Sequence, residues 1–176
     1  FISELIANAD LDRLQFIGDI IQRIELGYGR LGAAGQERNY KKVITLEELL
    51  TVEGLFTARV KEILTTHSLF DFSQWNTIYY LLDSFDPEYT KEYLDKTLVT
   101  DENILKFLDR FIISWTGSGT KYEIQKEYAD WFSTNRVLSA IDACRKDGTL
   151  FRFSERLQHR CAAFFLANTG ETHDNG

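Results

Sequence analysis

The glycine-rich stretch Gly27–Gly35 comes nearest to a chemical motif by residue type and spacing. Its first six residues, Gly-Tyr-Gly-Arg-Leu-Gly, match the dinucleotide-binding pattern G-x-G-x-x-G. That pattern binds a pyrophosphate only where a strand runs into the glycines and a helix leaves them. The preceding residues, Leu11 to Leu26, have apolar side chains at helical spacings, and Gly27 stands where a helix commonly ends. The sequence therefore predicts a helix stop followed by a loop, with a nucleotide-binding loop as the alternative.

A second glycine-containing loop, Thr116–Lys121, has the residue types of a phosphate-binding loop in a different arrangement. The P-loop requires the spacing G-x-x-x-x-G-K-[ST] after a strand, so that backbone N–H groups, the lysine and the hydroxyl converge on phosphate and metal. In this chain Lys121 follows a threonine and precedes Tyr122, and a helix is predicted before the glycines. The loop therefore does not predict phosphate binding.

The carboxylates, histidines and cysteines form no recognisable catalytic or metal-binding pattern. Acid–base catalysis needs carboxylates or a histidine in a shared cleft, whereas Glu47, Glu48 and Asp86 already have roles at predicted helix starts. The cysteines, Cys144 and Cys161, lack C-x-x-C spacing and are predicted to be buried and reduced. We therefore predict no catalytic residue, no metal ligand and no cofactor.

Positive charge is concentrated just after the first glycines, at Arg30, Arg38, Lys41 and Lys42, where Glu37 is the single acid. The whole chain has a net charge of −7, which opposes a general binder of nucleic-acid backbones because such proteins need a basic face. These four basic residues are our candidate partner-contact surface. Their predicted partner is an acidic neighbouring domain, another protein or a nucleic-acid backbone.

Length and composition are those of one domain with a substantial core. The 176 residues fall within the usual range of about 100–200 per domain. The chain begins at Phe1 and contains no methionine, which favours an internal part of a longer protein. No run approaches the ~20 apolar residues of a membrane span, so we predict a soluble, cytoplasmic protein.

Helix-start signals recur along the chain and predict the architecture. Residues that cap helices precede apolar runs of period three and four, at Asp10, Thr45, Asp71 or Ser73, Asp86, Thr100 or Asp101, Ser133 or Thr134, and Ser154. These signals predict an all-α fold, a helical bundle or curved helical array of about six to eight helices. We expect one domain over residues 1–168 and a frayed tail over 169–176.

Four local features complete the prediction. The helix that begins near Thr100 is expected to continue through Trp115, and Gly54 marks a kink or split in its own helix. The segment Leu150–Phe153 is predicted to be extended. The aromatic-rich segment Tyr122–Phe132 has two interpretations: it docks onto another domain, or it closes the bundle.

Three phrases of the sequence carry a resemblance to a known family. They are LQFIGDIIQRIELGYGRLGAAGQERNYKKVITLEELLTVEGLF, LLDSFDPEYTKEYL and ENILKFLDRFIISWTGSG. Together they resemble the helical part that follows the nucleotide-binding core in bacterial KAP-family P-loop NTPases. The resemblance implies a parent protein with an ATPase core and Walker motifs, in membrane-associated or phage-defence settings. Because those motifs do not occur in this sequence, the resemblance assigns no catalytic residue here.

Two functional hypotheses follow. The first is a non-catalytic helical regulatory or protein-interaction domain belonging to a larger P-loop NTPase-like protein. The alternative is a small helical nucleotide-binding or enzymatic domain that uses the Gly27–Gly35 loop. The two differ in one structural requirement, because the alternative needs a strand that ends at Gly27.

Overall fold

The computed structural model describes residues 1–27, 44–109, 114–116, 119–121, 124, 128–129 and 131–170. Within these ranges the chain forms eight α-helices and one short hairpin, which confirms the predicted all-α class. The helices are α1 (Ile2–Ala7), α2 (Leu11–Gly27), α3 (Leu46–Ile63), α4 (Trp75–Phe85), α5 (Pro87–Thr97), α6 (Asp101–Leu108), α7 (Thr134–Lys146) and α8 (Glu155–Thr169).

The chain divides into two compact units, Phe1–Glu92 and Tyr93–Gly176. The boundary falls inside α5. We refer to them as the N-terminal and C-terminal units and describe each by itself. The single domain expected over residues 1–168 stays a prediction.

Helix starts are stabilised by side-chain caps at most of the predicted positions. The Asp10 carboxylate accepts a hydrogen bond from the Arg13 N–H at 2.9 Å. Thr45 and Glu48 form a reciprocal capping box, with hydrogen bonds of 3.1 and 2.8 Å. Asp86 accepts from the Tyr89 N–H at the start of α5, where proline is the first helical residue. Thr100, Ser133 and Ser154 cap α6, α7 and α8 in the same way.

The N-terminal unit is held together by a close approach of α2 to its neighbours. Helix α2 packs against α3 and α4, and α3 also packs against α1. A Cβ added at Gly18 of α2 would lie 3.1 Å from the Ile78 Cδ1 atom, 3.3 Å from Phe56 Cζ and 3.4 Å from Leu81 Cδ1. All three neighbouring side chains are fully buried. Glycine at position 18 therefore lets the backbone of α2 sit directly on the core.

Two expectations for the N-terminal unit need correction. Helix α3 runs unbroken through Gly54, so the expected split does not occur, because flanking residues propagate the helix across one glycine. Helix α4 begins at Trp75 rather than near Asp71 or Ser73. Asp71 instead closes a separate 3-10 turn, Leu69–Asp71, as the partner of Ser68 in a capping box.

In the C-terminal unit, α6 and α8 both pack against α7, and α8 also contacts α6. Phe107 of α6 is fully buried and forms the centre of an aromatic cluster. Its ring lies 5.6 Å from that of Tyr128 in a T-shaped arrangement and 5.8 Å from that of Phe132. Trp131 donates a 2.6 Å hydrogen bond to the Asp95 carboxylate. The described part of the aromatic segment thus closes its own unit.

The helix predicted through Trp115 is wrong beyond α6. Helix α6 ends at Leu108, and Trp115 lies in β1, Ser114–Thr116. This strand pairs antiparallel with β2, Gly119–Lys121, with Thr116 opposite Gly119. The extended conformation of Ser114–Thr116 is stabilised by hydrogen bonds to the neighbouring strand. The helical spacing of apolar residues in the sequence cannot predict such pairing.

The connection between α7 and α8 also differs from prediction. Residues Thr149–Arg152 form a 3-10 turn, where an extended piece was expected from Leu150 to Phe153. Gly148 has φ +83°, a left-handed conformation that favours glycine, and it follows the C-cap residue of α7. The turn forms because Asp147 accepts a 2.8 Å hydrogen bond from the Thr149 N–H. Helix α8 extends to Thr169, and residues 171–176 of the expected tail lie outside the described residues.

Candidate binding cleft beside helix α3

The basic residues predicted to contact a partner, Arg30, Arg38, Lys41 and Lys42, all lie outside the described residues. Their role therefore stays a prediction. The first glycine of the G-x-G-x-x-G pattern is described, and it is the last residue of α2. A helix precedes the pattern where the dinucleotide-binding interpretation requires a strand.

The second glycine loop also has the wrong setting for phosphate binding. Residues 117–118 of this loop lie outside the described residues, but β1 and β2 on either side pair as an antiparallel hairpin. A P-loop instead connects a strand to a helix, whose N-terminus receives the phosphate. The local topology agrees with the sequence argument against a P-loop.

The two cysteines are buried thiols in the core of the C-terminal unit. Cys144 of α7 and Cys161 of α8 are both free and at most 2% exposed. Burial raises the pKa of Cys144 to about 11, with further contributions from Asp147 and other acids, and burial raises the pKa of Cys161 to about 12. Both thiols are therefore protonated at neutral pH, which is the condition of an unreactive structural cysteine.

The acidic groups with depressed pKa values have structural partners. Hydrogen bonds from Lys146 and Arg145 lower the pKa of Asp142, and the Thr149 N–H lowers that of Asp147. In the described ranges, no three His, Cys, Asp or Glu side chains are placed together to hold a metal ion. These perturbed carboxylates are thus explained by local ion pairs and turns.

An open cleft lies in the N-terminal unit, between one side of α3 and the end of α4. It encloses about 460 Å³ and is lined by Leu50, Glu53, Gly54, Thr57, Ala58, Lys61, Ser84 and Phe85. Gly54 faces open space, since a Cβ added there would meet no heavy atom within 4 Å. The absence of a side chain at Gly54 therefore leaves the α3 backbone accessible from the cleft.

Two polar side chains of α3 are buried in the cleft wall. Glu53 is 7% exposed and Thr57 is 8% exposed, one helical turn apart. The Thr57 hydroxyl oxygen has no hydrogen-bond partner among the described residues. A buried hydroxyl without a partner costs roughly 1–3 kcal/mol. A bound group that offers a hydrogen bond to Thr57 would remove this cost.

One end of the cleft is fixed by an ion pair. The Lys61 ammonium contacts the Asp86 carboxylate and lies 4.7 Å from the centroid of the Tyr89 ring. The hydrogen bond from Lys61, followed by that from the Tyr89 N–H, holds the pKa of Asp86 below its usual value. Lys61 is thereby neutralised and held at the base of α5, which fixes the position of this cleft wall.

The cleft continues into an exposed stripe along α3, which we call the α3 stripe. It consists of Leu46, Leu50, Gly54 and Ala58, spaced four residues apart on one helix face. Leu46 and Leu50 are each 49% exposed. At 1.5 Å per residue the stripe is about 18 Å long. Among the described residues, the α3 stripe is therefore an exposed surface of apolar and small side chains that is several helical turns long.

The two chain segments that line the cleft, α3 and residues 83–86, are acidic in composition. Helix α3 and residues 83–86 contain six carboxylates, at positions 47, 48, 53, 62, 83 and 86, against the two cations Arg59 and Lys61, a net charge of −4. Arg59 pairs with Glu62 at 2.7 Å and donates to the Ala9 carbonyl oxygen at 3.0 Å. These two ion pairs also neutralise Glu62 and Asp86, so the net charge of −4 belongs to the other four carboxylates of these segments.

Sequence reasoning identified the α3 helix but not its cleft. Leu46 and Leu50 have the same helical spacing as the core residues of α3. The hydrophobic periodicity of the sequence therefore did not distinguish exposed leucines from buried ones. Gly54 was the available signal, because a glycine in a helix interior costs about 1 kcal/mol relative to alanine and therefore marks an unusual position. Thr57 gave no signal in the sequence.

No protein-family model, curated protein or solved structure matches this chain. Within the described part of the chain, none of the helices combines the length and apolar character that crossing a bilayer demands.

Proposed function

We propose that this chain is a non-catalytic helical regulatory or protein-interaction domain, part of a larger P-loop NTPase-like protein that acts in the cytoplasm. The observation that carries the proposal is the uncovered α3 stripe with its cleft. A partner surface on a rigid helix is typical of interaction domains, in which apolar anchors lie within a polar rim. The resemblance to the helical region of KAP-family NTPases supports a neighbouring nucleotide-binding core as the partner.

The alternative, a small helical nucleotide-binding or enzymatic domain, has weaker support. The helix that ends at Gly27 counts against it, since the dinucleotide fingerprint follows a strand. Its test is the thermal midpoint of the chain with and without saturating ATP or NAD. A ligand that binds only the native state must raise the midpoint, so a clear rise would favour the alternative over our proposal.

Two experiments test the main proposal. The first is to read the parent gene around this segment, where a Walker motif is expected upstream of Phe1. The second is calorimetric titration of this chain with that nucleotide-binding core, in which we expect saturable binding. An upstream region without a nucleotide-binding core, or a core that gives no heat of binding, would contradict the proposal.

The calorimetric experiment can also test the basic residues that follow the first glycine-rich stretch, among them Lys41 and Lys42. We expect the charge reversals Lys41→Glu and Lys42→Glu to weaken binding of the core. A parallel titration with duplex DNA distinguishes the nucleic-acid partner from the protein partner. Unchanged binding of both by the double variant would remove these lysines from the contact surface.

A further inference from the structure

We infer that the cleft and the α3 stripe receive one basic amphipathic α-helix of a partner protein. The inference deepens the proposed function and rests on it, since it names the chemistry of the partner. Three independent observations lead to it: the length and small central residues of the α3 stripe, a buried hydroxyl without a partner among the described residues, and the charge.

Length and shape favour a helix over a small molecule. The α3 stripe extends about 18 Å, or roughly three helical turns, and Leu46 continues it beyond the residues that line the cleft. Gly54 and Ala58 in its middle present little side-chain volume. Small residues one turn apart let a second helix axis approach closely, while larger residues at the end provide apolar contact. A compact ligand in the cleft would leave Leu46 uncovered.

The buried hydroxyl supplies the second, independent observation. Thr57 lines the cleft, is 8% exposed, and its oxygen has no hydrogen-bond partner among the described residues. Threonine in a helix populates two χ1 rotamers, and we expect a docked helix to select one that turns the Thr57 hydroxyl toward the cleft. A polar group of the docked helix then completes a hydrogen bond that the free protein lacks.

Charge determines which kind of helix fits. The net charge of −4 on α3 and residues 83–86, with Arg59 and Lys61 already paired, complements lysines or arginines at the edges of a docked helix. An acidic helix would place like charges against this rim. The partner is therefore cationic, with an apolar face that covers Leu46 and Leu50.

The test uses synthetic peptides as defined probes. The first probe is a fluorescent peptide of about 20 residues, which is long enough to be helical. One face of its helix consists of alanine and leucine, and lysines flank that face. The second probe is the same peptide with every lysine replaced by glutamate. Binding to the full chain is measured by fluorescence anisotropy. We expect the lysine peptide to bind at least about tenfold more tightly than the glutamate peptide, with the preference decreasing as salt is added. Equal binding of the two peptides, or no binding of either, would overturn the inference.

Two substitutions locate the peptide. Gly54→Trp fills the centre of the α3 stripe and is expected to weaken binding at least about tenfold, whereas the matched control Gly54→Ala retains most of it. Thr57→Val replaces the hydroxyl by a methyl group and is expected to weaken binding about two- to tenfold while raising the thermal midpoint of the free chain. Circular dichroism verifies that each variant is folded.

The outcomes separate this inference from the proposed function. Peptide binding that Gly54→Trp and Thr57→Val leave unchanged would overturn the cleft as the docking site. The nucleotide-binding core could still bind this chain in calorimetry, and the proposed function would then stand without the cleft. Loss of affinity in Thr57→Val together with a higher thermal midpoint cannot come from damage to the fold, and it would support the inference.

Discussion

The two interior glycines, Gly18 of α2 and Gly54 of α3, should respond oppositely to the same substitution. In a helix interior, Gly→Ala stabilises by about 1 kcal/mol because alanine loses less backbone entropy. At Gly54 the new Cβ meets nothing within 4 Å, so the full gain is expected. At Gly18 the Cβ would lie 3.1–3.4 Å from three buried side chains. Overpacking of this kind costs roughly 1–3 kcal/mol.

The expected difference between these two variants is measurable. Taking about 2 kcal/mol for the overpacking, Gly18→Ala loses about 1 kcal/mol net while Gly54→Ala gains about 1 kcal/mol. Urea denaturation of both variants and the unsubstituted chain gives the two free-energy changes, and Gly18→Leu should destabilise further. Equal stabilisation by Gly18→Ala and Gly54→Ala would refute the close approach of α2 to α3 and α4.

Three further predictions concern caps, thiols and acid. Thr45→Ala removes the capping box of α3 and should lower the free energy of unfolding by about 1 kcal/mol in urea denaturation; an unchanged value would mean that the α3 start is not stabilised by its cap. Cys144 and Cys161 should not react with a thiol reagent at about pH 7–8 until the chain is denatured, because both thiols are buried and protonated in the native protein. Rapid labelling of either thiol in native protein would contradict their burial. The pKa of Asp86 is lowered in the folded state, so its stabilising contribution is present above the unfolded value of 3.8 and lost as the pH falls through the lower folded pKa. The free energy of unfolding should therefore fall more steeply in acid for the unsubstituted chain than for Asp86→Asn, and identical pH profiles would show that this carboxylate contributes nothing.

Helix starts were predictable from the sequence because their determinants are local. Thr45 and Glu48 are three residues apart, and the hydrogen bonds between them require no other part of the fold. The same holds for Asp86 with Pro87 and for Ser154 at α8. These signals were sufficient for the all-α class and for most of the helix starts.

The hairpin and the cleft were not predictable, because both depend on which segments meet. Trp115 lies at helical spacing from apolar residues of α6, yet its conformation is set by pairing with β2. Leu49 is fully buried and Leu50 is half exposed, although both are leucines in one helix. Only the packing of neighbouring helices decides which of the two is covered.

The most direct test of the account is an NMR titration of the isotopically labelled chain with the lysine peptide. Docking on the α3 stripe predicts that the amide signals of Gly54 and Ala58 shift progressively and saturably, together with the methyl signals of Leu46 and Leu50. Signals from Cys144 and Cys161, buried in the C-terminal unit, should stay unchanged. Saturable shifts confined to the C-terminal unit, or an α3 stripe that does not shift at any peptide concentration, would contradict the account.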